Sequence, residues 1–393
     1  MASERMAPFG QIDLDDRQLR DLKTPCFIVN ESRVEENLIT INRVKEATGA
    51  RVLLALKGFA MWSLFPLIRQ YLSGIAASSL NEARLGNEAF GGELHVYTPA
   101  YTDTEFAELL KIADHISFNS INQWNAYKDR MKGGGIKSAI RINPEHSEVK
   151  TRMYDPCAPF SRLGVTLENF SRGIEFLDGI TGLHFHNLCE LNSDALDRTL
   201  EVVEKKFGFY FNRISWINFG GGHHITRQDY DVEKLIRIIN DFRFKYPLEV
   251  YLEPGEAIAL NTGILVTTVM DVFNNGMDIA ILDTSASAHM PDVLEMPYRP
   301  PLLKGYLPEE KKYVYRLGGM TCLAGDVIGD YSFDSPLETG QKLIFGDMAH
   351  YTMVKNTTFN GVNLPHIYKF NSNTGELILI RSFGYEDYKN RLS

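Results

Sequence analysis

An alternation constrains the fold of this chain more than any single motif. Eight short apolar runs recur from residue 51 onward: "RVLLALK" (51–57), "GIAASS" (74–79), "ELHVYTP" (93–99), "HISFNS" (115–120), "SAIRIN" (138–143), "GITGLHFH" (179–186), "RISWINFGGG" (213–222) and "LEVYLEPG" (248–255). Helix-like stretches separate them. "SSLNEARLGNEAF" sets Leu80, Ala83, Leu85 and Ala89 roughly on one side, with Ser79 or Asn81 available as a cap. "DVEKLIRIINDF" sets Leu235, Ile238, Ile239 and Phe242 on one face. Strands that alternate with helices imply right-handed crossovers and a parallel sheet. Eight such units within about 200 residues predict a closed (β/α)8 barrel. The pattern alone leaves an open doubly wound sheet as the alternative.

After Gly255 the texture changes. "GILVTTVMDVFNNGMDIAILDTSA" holds two β-rich runs joined by Asn274-Asn275-Gly276, a hairpin signal. "KKYVYRLGGMTC", "QKLIFGD" and "ELILIRSFGY" continue as strands, so the last third of the chain reads as an all-β domain. "TPCFIVN" near the start is a strand that precedes the barrel and is available to join that β domain. The expected division is a barrel over 33–264 and a β domain assembled from 1–32 and 265–393.

A chain of 393 residues is long enough for two domains, and its formal charge of -9 argues against a nucleic-acid surface. No segment is apolar over the length a bilayer needs, and "MASERMAPFG" lacks the apolar core of a signal peptide. Cys26, Cys157, Cys189 and Cys322 lie far apart with no CxxC spacing, which fits neither a disulfide framework nor a zinc site. A reducing cytoplasm is the expected compartment.

In a (β/α)8 barrel, chemistry gathers at the carboxyl ends of the strands. There the sequence places Lys57, then His184 and His186 in "HFHNLCE", then Gly220-Gly221-Gly222, then Glu253 and Glu256 in "EPGE". Each has a bland reading: a snorkelling lysine, a satisfied core histidine, a loop needing positive φ, a surface carboxylate. Together they offer an amine for an aldehyde, a flat ring, backbone N–H groups for a phosphate and a carboxylate for a pyridinium. That set matches the needs of pyridoxal phosphate. A metal site is the weaker rival, because it leaves Lys57 without a role.

The motifs "LALKGFA", "PFSRLG", "GLHFHNLCE", "NFGGGHH", "LEPGEA", "LDTSASAHMPDVLEMPYRP", "GGMTCLAGDVIGDY" and "FGDMAHYTM" occur in an order and spacing that resemble the fold-type III pyridoxal-phosphate decarboxylases. These have an alanine racemase-like architecture. Within that group the chain looks most like the carboxynorspermidine/carboxyspermidine decarboxylases of polyamine synthesis. The resemblance spans nearly the whole chain, and it implies roles. Lys57 is the Schiff-base lysine. His186, preferred to His184, stacks on the cofactor ring. Gly220, Gly221, Gly222 and Tyr351 hold the phosphate, with Cys189 where the group often has a serine. Glu253 pairs with the pyridine nitrogen, and Arg162 contacts the phenolic oxygen. Cys322 is a proton donor supplied across a subunit interface, so a homodimer with shared sites is expected.

Two departures bear on substrate. Relatives acting on diaminopimelate or ornithine carry an arginine after "EPG", where this chain has Glu256, and diaminopimelate decarboxylase carries a glutamate where this chain has Leu323. A carboxylate in place of an arginine favours a substrate with a protonated amine over one with a second carboxylate. Asp292 and Glu295 add further carboxylates for an amine tail, with a solvated loop charge the equal alternative for Glu295. Decarboxylation of another amino acid, racemisation, and a non-catalytic cofactor-binding role are the alternatives. Retention of the lysine, the cysteine and the glycine loop argues against the last.

Overall fold

The computed structural model describes residues 7–393. It divides into two compact units, one formed by 37–258 and the other by the described residues up to 36 together with 259–393.

The first unit is the barrel. Its strands are β2 (Arg51–Ala55), β3 (Gly74–Ala77), β4 (Glu93–Tyr97), β5 (His115–Phe118), β6 (Lys137–Arg141), β7 (Gly182–His184), β8 (Trp216–Asn218) and β9 (Glu249–Leu252). All neighbours pair in parallel, and β9 returns to β2 through Arg51↔Tyr251 and Val52↔Leu252, so the sheet closes. The open-sheet alternative is thereby eliminated. The strands are shorter than their apolar runs because a run's last residues belong to the loops at the barrel mouth. Leu53, Ala55, Ala76, Ala139, Trp216 and Tyr251 fill the interior. Gly182 is needed for this packing: a Cβ there would lie 2.1 Å from the Trp216 ring. The helix Val232–Lys245 buries Leu235, Ile238, Ile239 and Phe242, the face read from the sequence, and starts on an Asp231 cap that accepts from Lys234 N. Ser79, one of the two candidates, caps the helix Leu80–Leu85.

The second unit is an eight-stranded sheet. β1 (Cys26–Asn30) lies between β10 (Gly263–Asn274) and β15 (His366–Asn371), so the early strand does join the β domain. β10 turns at Gly276 into β11 (Asp278–Leu282), followed across the sheet by β12 (Tyr313–Gly318) and β13 (Val327–Phe333). β14 (Lys342–Gly346) pairs with β10, and β16 (Glu376–Arg381) closes the other edge beside β15. Phe27, Leu265, Leu317 and Phe345 lie in its largest apolar core. This unit begins at 259 rather than 265, because Gly263 and Ile264 are the first residues of β10 and pair with Val29 and Ile28. The barrel correspondingly ends at 258 and starts within the helix Glu31–Thr48. Residues 1–6 of the expected β domain lie outside the described residues. Among the described residues no helix is long and apolar enough to cross a membrane.

Candidate active site

Closure of β2 onto β9 sets the two ends of the barrel sequence side by side, and with them Lys57 and Glu253. Just beyond β2 the chain turns, with Gly58 N donating to Ala55 O at 3.0 Å, and Lys57 enters the barrel mouth. The recess is lined by Lys57, Tyr97, Arg141, His184, His186 and Glu253. Lys57 presents accessible surface into this recess, yet protein surrounds its ammonium closely enough for desolvation to dominate. Burial first, and then the charge of Arg141, lower its pKa; Glu253, Glu82 and Cys189 oppose the shift. A lysine held this way is pushed toward the free amine, the form that attacks a carbonyl.

Glu253 is held on two sides. Asn218 Nδ2 donates to its Oε1 at 2.6 Å, and His184 Nε2 stands 3.5 Å from its Oε2, at the long limit of a hydrogen bond. Burial, the largest single influence, pushes its carboxyl up. The charges of His184 and His95, with hydrogen bonds from His184 and Asn218, outweigh burial and hold the pKa at about 2. Glu253 is therefore an anion poised to keep a proton on a basic nitrogen placed against it.

His186 is fixed as a neutral ring. Gly221 N donates to its Nδ1 at 2.7 Å, so Nδ1 carries no proton. Burial, then the charges of Lys57 and Arg141, press its pKa well below the ordinary histidine value. A neutral imidazole can lie flat against another ring without placing a charge on it.

The glycine loop differs from the sequence expectation in one respect. Gly220 N already donates to Asn218 Oδ1 at 2.8 Å and Gly221 N to His186, so two of the three N–H groups are engaged within the protein. What the loop supplies is room. A Cβ at Gly220, Gly221 or Gly222 would lie 2.4 Å from Phe185 O, 2.4 Å from Glu253 O or 2.0 Å from Leu188 O, and Gly220 and Gly222 have φ of 70° and 80°. Beside the loop, Cys189 is half-buried; burial, Glu190 and Glu256 push its thiol up to about 12, so it stays protonated. Glu256 belongs to the same end of the barrel, with Oε1 3.3 Å from Nε2 of the buried His224.

Arg162 does not line the recess. It is exposed, and its backbone oxygen accepts from Asn119 Nδ2. The arginine that does is Arg141, the last residue of β6, only 6% exposed, with its guanidinium 4.5 Å from the Tyr97 ring centre and Nη2 donating to His186 O. Arg141, Asn218 and His224 are additions that the sequence reading missed. Arg141 carried the same signal as Lys57, a cation closing an apolar run.

The remaining expected residues belong to the β unit. Cys322 is exposed, and its backbone N donates to Asn360 Oδ1 at 2.7 Å. Tyr351, at φ 44°, accepts through its carbonyl from the N–H groups of Val354 and Lys355. Asp292 and Glu295 both hold the ammonium of Lys355, at 2.5 and 2.6 Å, so these carboxylates already have a cation.

A lysine with a lowered pKa, a flat neutral ring, a carboxylate kept ionised and a loop cleared of Cβ atoms fit pyridoxal phosphate. Comparison with known proteins agrees. Residues 26–349 match the model of the pyridoxal-dependent decarboxylases, C-terminal sheet domain. The chain is 47% identical to carboxyaminopropylagmatine decarboxylase of Synechocystis sp., over 98% of this chain and 100% of that protein. It is 42% identical to the carboxynorspermidine/carboxyspermidine decarboxylase of Campylobacter jejuni, over 94% and 98% of the two chains. The crystal structure of the C. jejuni carboxynorspermidine decarboxylase complexed with norspermidine superposes with a TM-score of 0.87, covering 94% of this chain and all of that one. Sequence match, near-full-length relatives and a barrel mouth suited to the cofactor converge: this chain belongs to the pyridoxal-dependent decarboxylase family.

Proposed function

We propose that this enzyme removes the α-carboxylate of a carboxylated polyamine, producing CO2 and the corresponding linear polyamine. The observation that carries the reading is that the β2–β9 closure brings Lys57 and Glu253 into one recess, at a barrel end whose next carboxylate is Glu256. Pyridoxal phosphate, when bound, supplies the electron sink for the pair left behind as CO2 departs. Lys57 Nζ would hold the cofactor by its aldehyde and would take up or return a proton as substrate enters and product leaves. Glu253 would keep the pyridine nitrogen protonated, His186 would offer its neutral face to the ring, and Arg141 would be the cation available to the phenolic oxygen. The loop Gly220–Gly222 with Cys189 would receive the phosphate, a role that the resemblance also gives to Tyr351. Cys322, supplied by a second copy of the chain, would give its S–H proton to Cα. One proton is consumed for each CO2 released.

Glu256 supports a cationic substrate, as do the C. jejuni and Synechocystis relatives, which are named for carboxylated polyamines or a carboxylated agmatine derivative. The second reading, carboxyaminopropylagmatine as substrate, is favoured by the 47% identity to the Synechocystis enzyme. The two substrate types differ at the far end, a primary ammonium in one and a planar guanidinium in the other. Four free cysteines fit a reducing cytoplasm.

The test is CO2 release by the cofactor-loaded enzyme, offered carboxynorspermidine, carboxyspermidine, carboxyaminopropylagmatine and meso-diaminopimelate separately. Release from the first two ahead of the third selects the polyamine reading, and the reverse order selects the guanidinium one. Preference for diaminopimelate would overturn both.

A further inference from the structure

The loop that carries Cys322 is built around a buried carboxylate that no part of the mechanism above uses. Asp326 is 5% exposed and collects four hydrogen bonds. Its Oδ2 accepts from Ser285 Oγ at 2.9 Å, from Thr321 N at 3.1 Å and from Thr321 Oγ1 at 2.6 Å; its Oδ1 accepts from Ser287 N at 3.2 Å. Two separate segments, through Ser285 and Ser287 in one and Thr321 in the other, are thereby drawn onto one side chain. The loop is tight: Gly319 N donates to Asp326 O and Asp326 N to Leu323 O, both at 2.9 Å. Gly319 has no alternative, since a Cβ there would stand 2.4 Å from Asp326 Oδ2. On the other side, Cys322 N donates to Oδ1 of Asn360, a residue in the left-handed region at φ 55°.

The result is an exposed thiol on a pinned backbone. Thr321 is fixed by two bonds to Asp326, Cys322 by one to Asn360, and Met320 and Leu323 on either side are 48% and 44% exposed. Exposed loop tips usually owe their mobility to a lack of such anchors. A group that must deliver a proton to one carbon gains by being held in place, because a misplacement of about 1 Å can cost a hundredfold in rate.

We propose that Asp326 is a positioning residue for Cys322, with Asn360 as its accessory, and that its carboxylate sets where the thiol proton is delivered. This rests on the role given to Cys322 above. Asn is a demanding substitute despite its shape. Its NH2 must face either Ser287 N–H or Thr321 N–H, because one carboxylate oxygen receives each of those donors.

The experiment is a double-mutant cycle on the holoenzyme, with kcat, KM and the rate of Cys322 alkylation by iodoacetamide as readouts. Asp326→Asn is expected to lower kcat by about a hundredfold with KM nearly unchanged, and to change the alkylation rate. In a Cys322→Ala background the same substitution is expected to cost less than about twofold, because the group it positions is gone. An Asp326→Asn enzyme with the kcat of the parent overturns the proposal. So does a loss of equal size in the Cys322→Ala background, which would mark a general structural role. Should Asp326→Asn fail to fold, Asn360→Gly decides: glycine accepts φ 55° and removes only the acceptor, and it is expected to lower kcat in the parent but not in Cys322→Ala. Full activity of Asn360→Gly would then overturn the proposal. If the parent enzyme releases CO2 from no substrate, the functional reading falls by itself. The alkylation rate of Asp326→Asn still judges the loop, and an unchanged rate sinks it.

Discussion

The Gly221 backbone N–H donates to Nδ1 of His186 at 2.7 Å, tying the loop after β8 to the first histidine beyond β7. One bond thus sets both the ring's tautomer and the loop's path. Replacing Gly221 by Ala puts a Cβ 2.4 Å from the backbone oxygen of Glu253, which cannot yield as a flexible side chain would. The loop has to move, taking with it the bond to His186. Gly221→Ala is expected to weaken cofactor binding by about fivefold to a hundredfold, the scale of a 1–3 kcal/mol overpacking cost. A visible-absorption titration with pyridoxal phosphate measures this, and an unchanged dissociation constant would show that the loop has slack.

Arg141 and Arg162 separate cleanly. Arg141 is buried, donates to His186 O and lies over Tyr97, whereas Arg162 is exposed. Arg141→Met is expected to cut kcat/KM by roughly tenfold to a hundredfold, as loss of a buried charged hydrogen bond does. Arg162→Met is expected to stay within about twofold, as surface substitutions do. The charge of Arg141 also lowers the Lys57 pKa, so its removal raises that pKa. The rate at which apoenzyme captures the cofactor aldehyde should then need a higher pH, since only free amine attacks. Equal losses in the two variants would return Arg162 to the site.

The barrel was legible because parallel strands buried on both faces read as unbroken apolar runs, and eight of them leave few ways to close. Lys57, His186 and Glu253 were legible because a polar residue ending such a run has to be explained. Arg141 sits at an equivalent strand end but was read as part of "SAIRIN", since an arginine there also makes an ordinary surface terminus. Asn218 and His224 act through partners 35 and 32 residues away, Glu253 and Glu256, and no local spacing encodes that. The same holds for Lys355, which fills the Asp292–Glu295 pair from 63 and 60 residues away. The boundary at 258 was missed by six residues because the start of β10 looks like any apolar run until its partners in β1 are known.

Glu256 tests the charge argument. It follows "EPG" at the carboxyl end of the last barrel strand, and His224 Nε2 stands 3.3 Å from its carboxylate. Glu256→Gln keeps the shape and removes the charge. Loss of one charged contact of about 1.5–3 kcal/mol should raise KM for a cationic substrate by roughly tenfold to a hundredfold, with the cofactor retained. The kcat/KM ratio between carboxynorspermidine and meso-diaminopimelate should shrink in step. A KM that does not move would place the substrate's amine elsewhere.

Inside the barrel, His95 and His115 stack with ring centres 3.8 Å apart and planes 18° from parallel, each 4% exposed. Trp216 and Tyr251 flank them, and Glu93, paired with Arg51, approaches His95 Nε2 at 3.4 Å. Burial is the largest influence on both and lowers their pKa values from 6.5 to about 3 for His95 and about 2 for His115. His184 and Lys137 push the same way on His95, against Glu253 and Glu249; His95, Lys137 and Arg51 do so on His115, against Glu93. A base whose folded pKa lies below its unfolded one binds protons more readily when unfolded. Its neutral form therefore costs nothing above pH 6.5, and stability falls as pH drops from there toward the folded value. For one such histidine the loss between pH 8 and pH 5 is about 2 kcal/mol. His115→Phe keeps a flat ring against His95 and removes one titrating site. Its thermal midpoint should change less between pH 8 and pH 5 than that of the parent. Parallel pH profiles for the two proteins would mean that protonation of this pair does not govern the enzyme's acid stability.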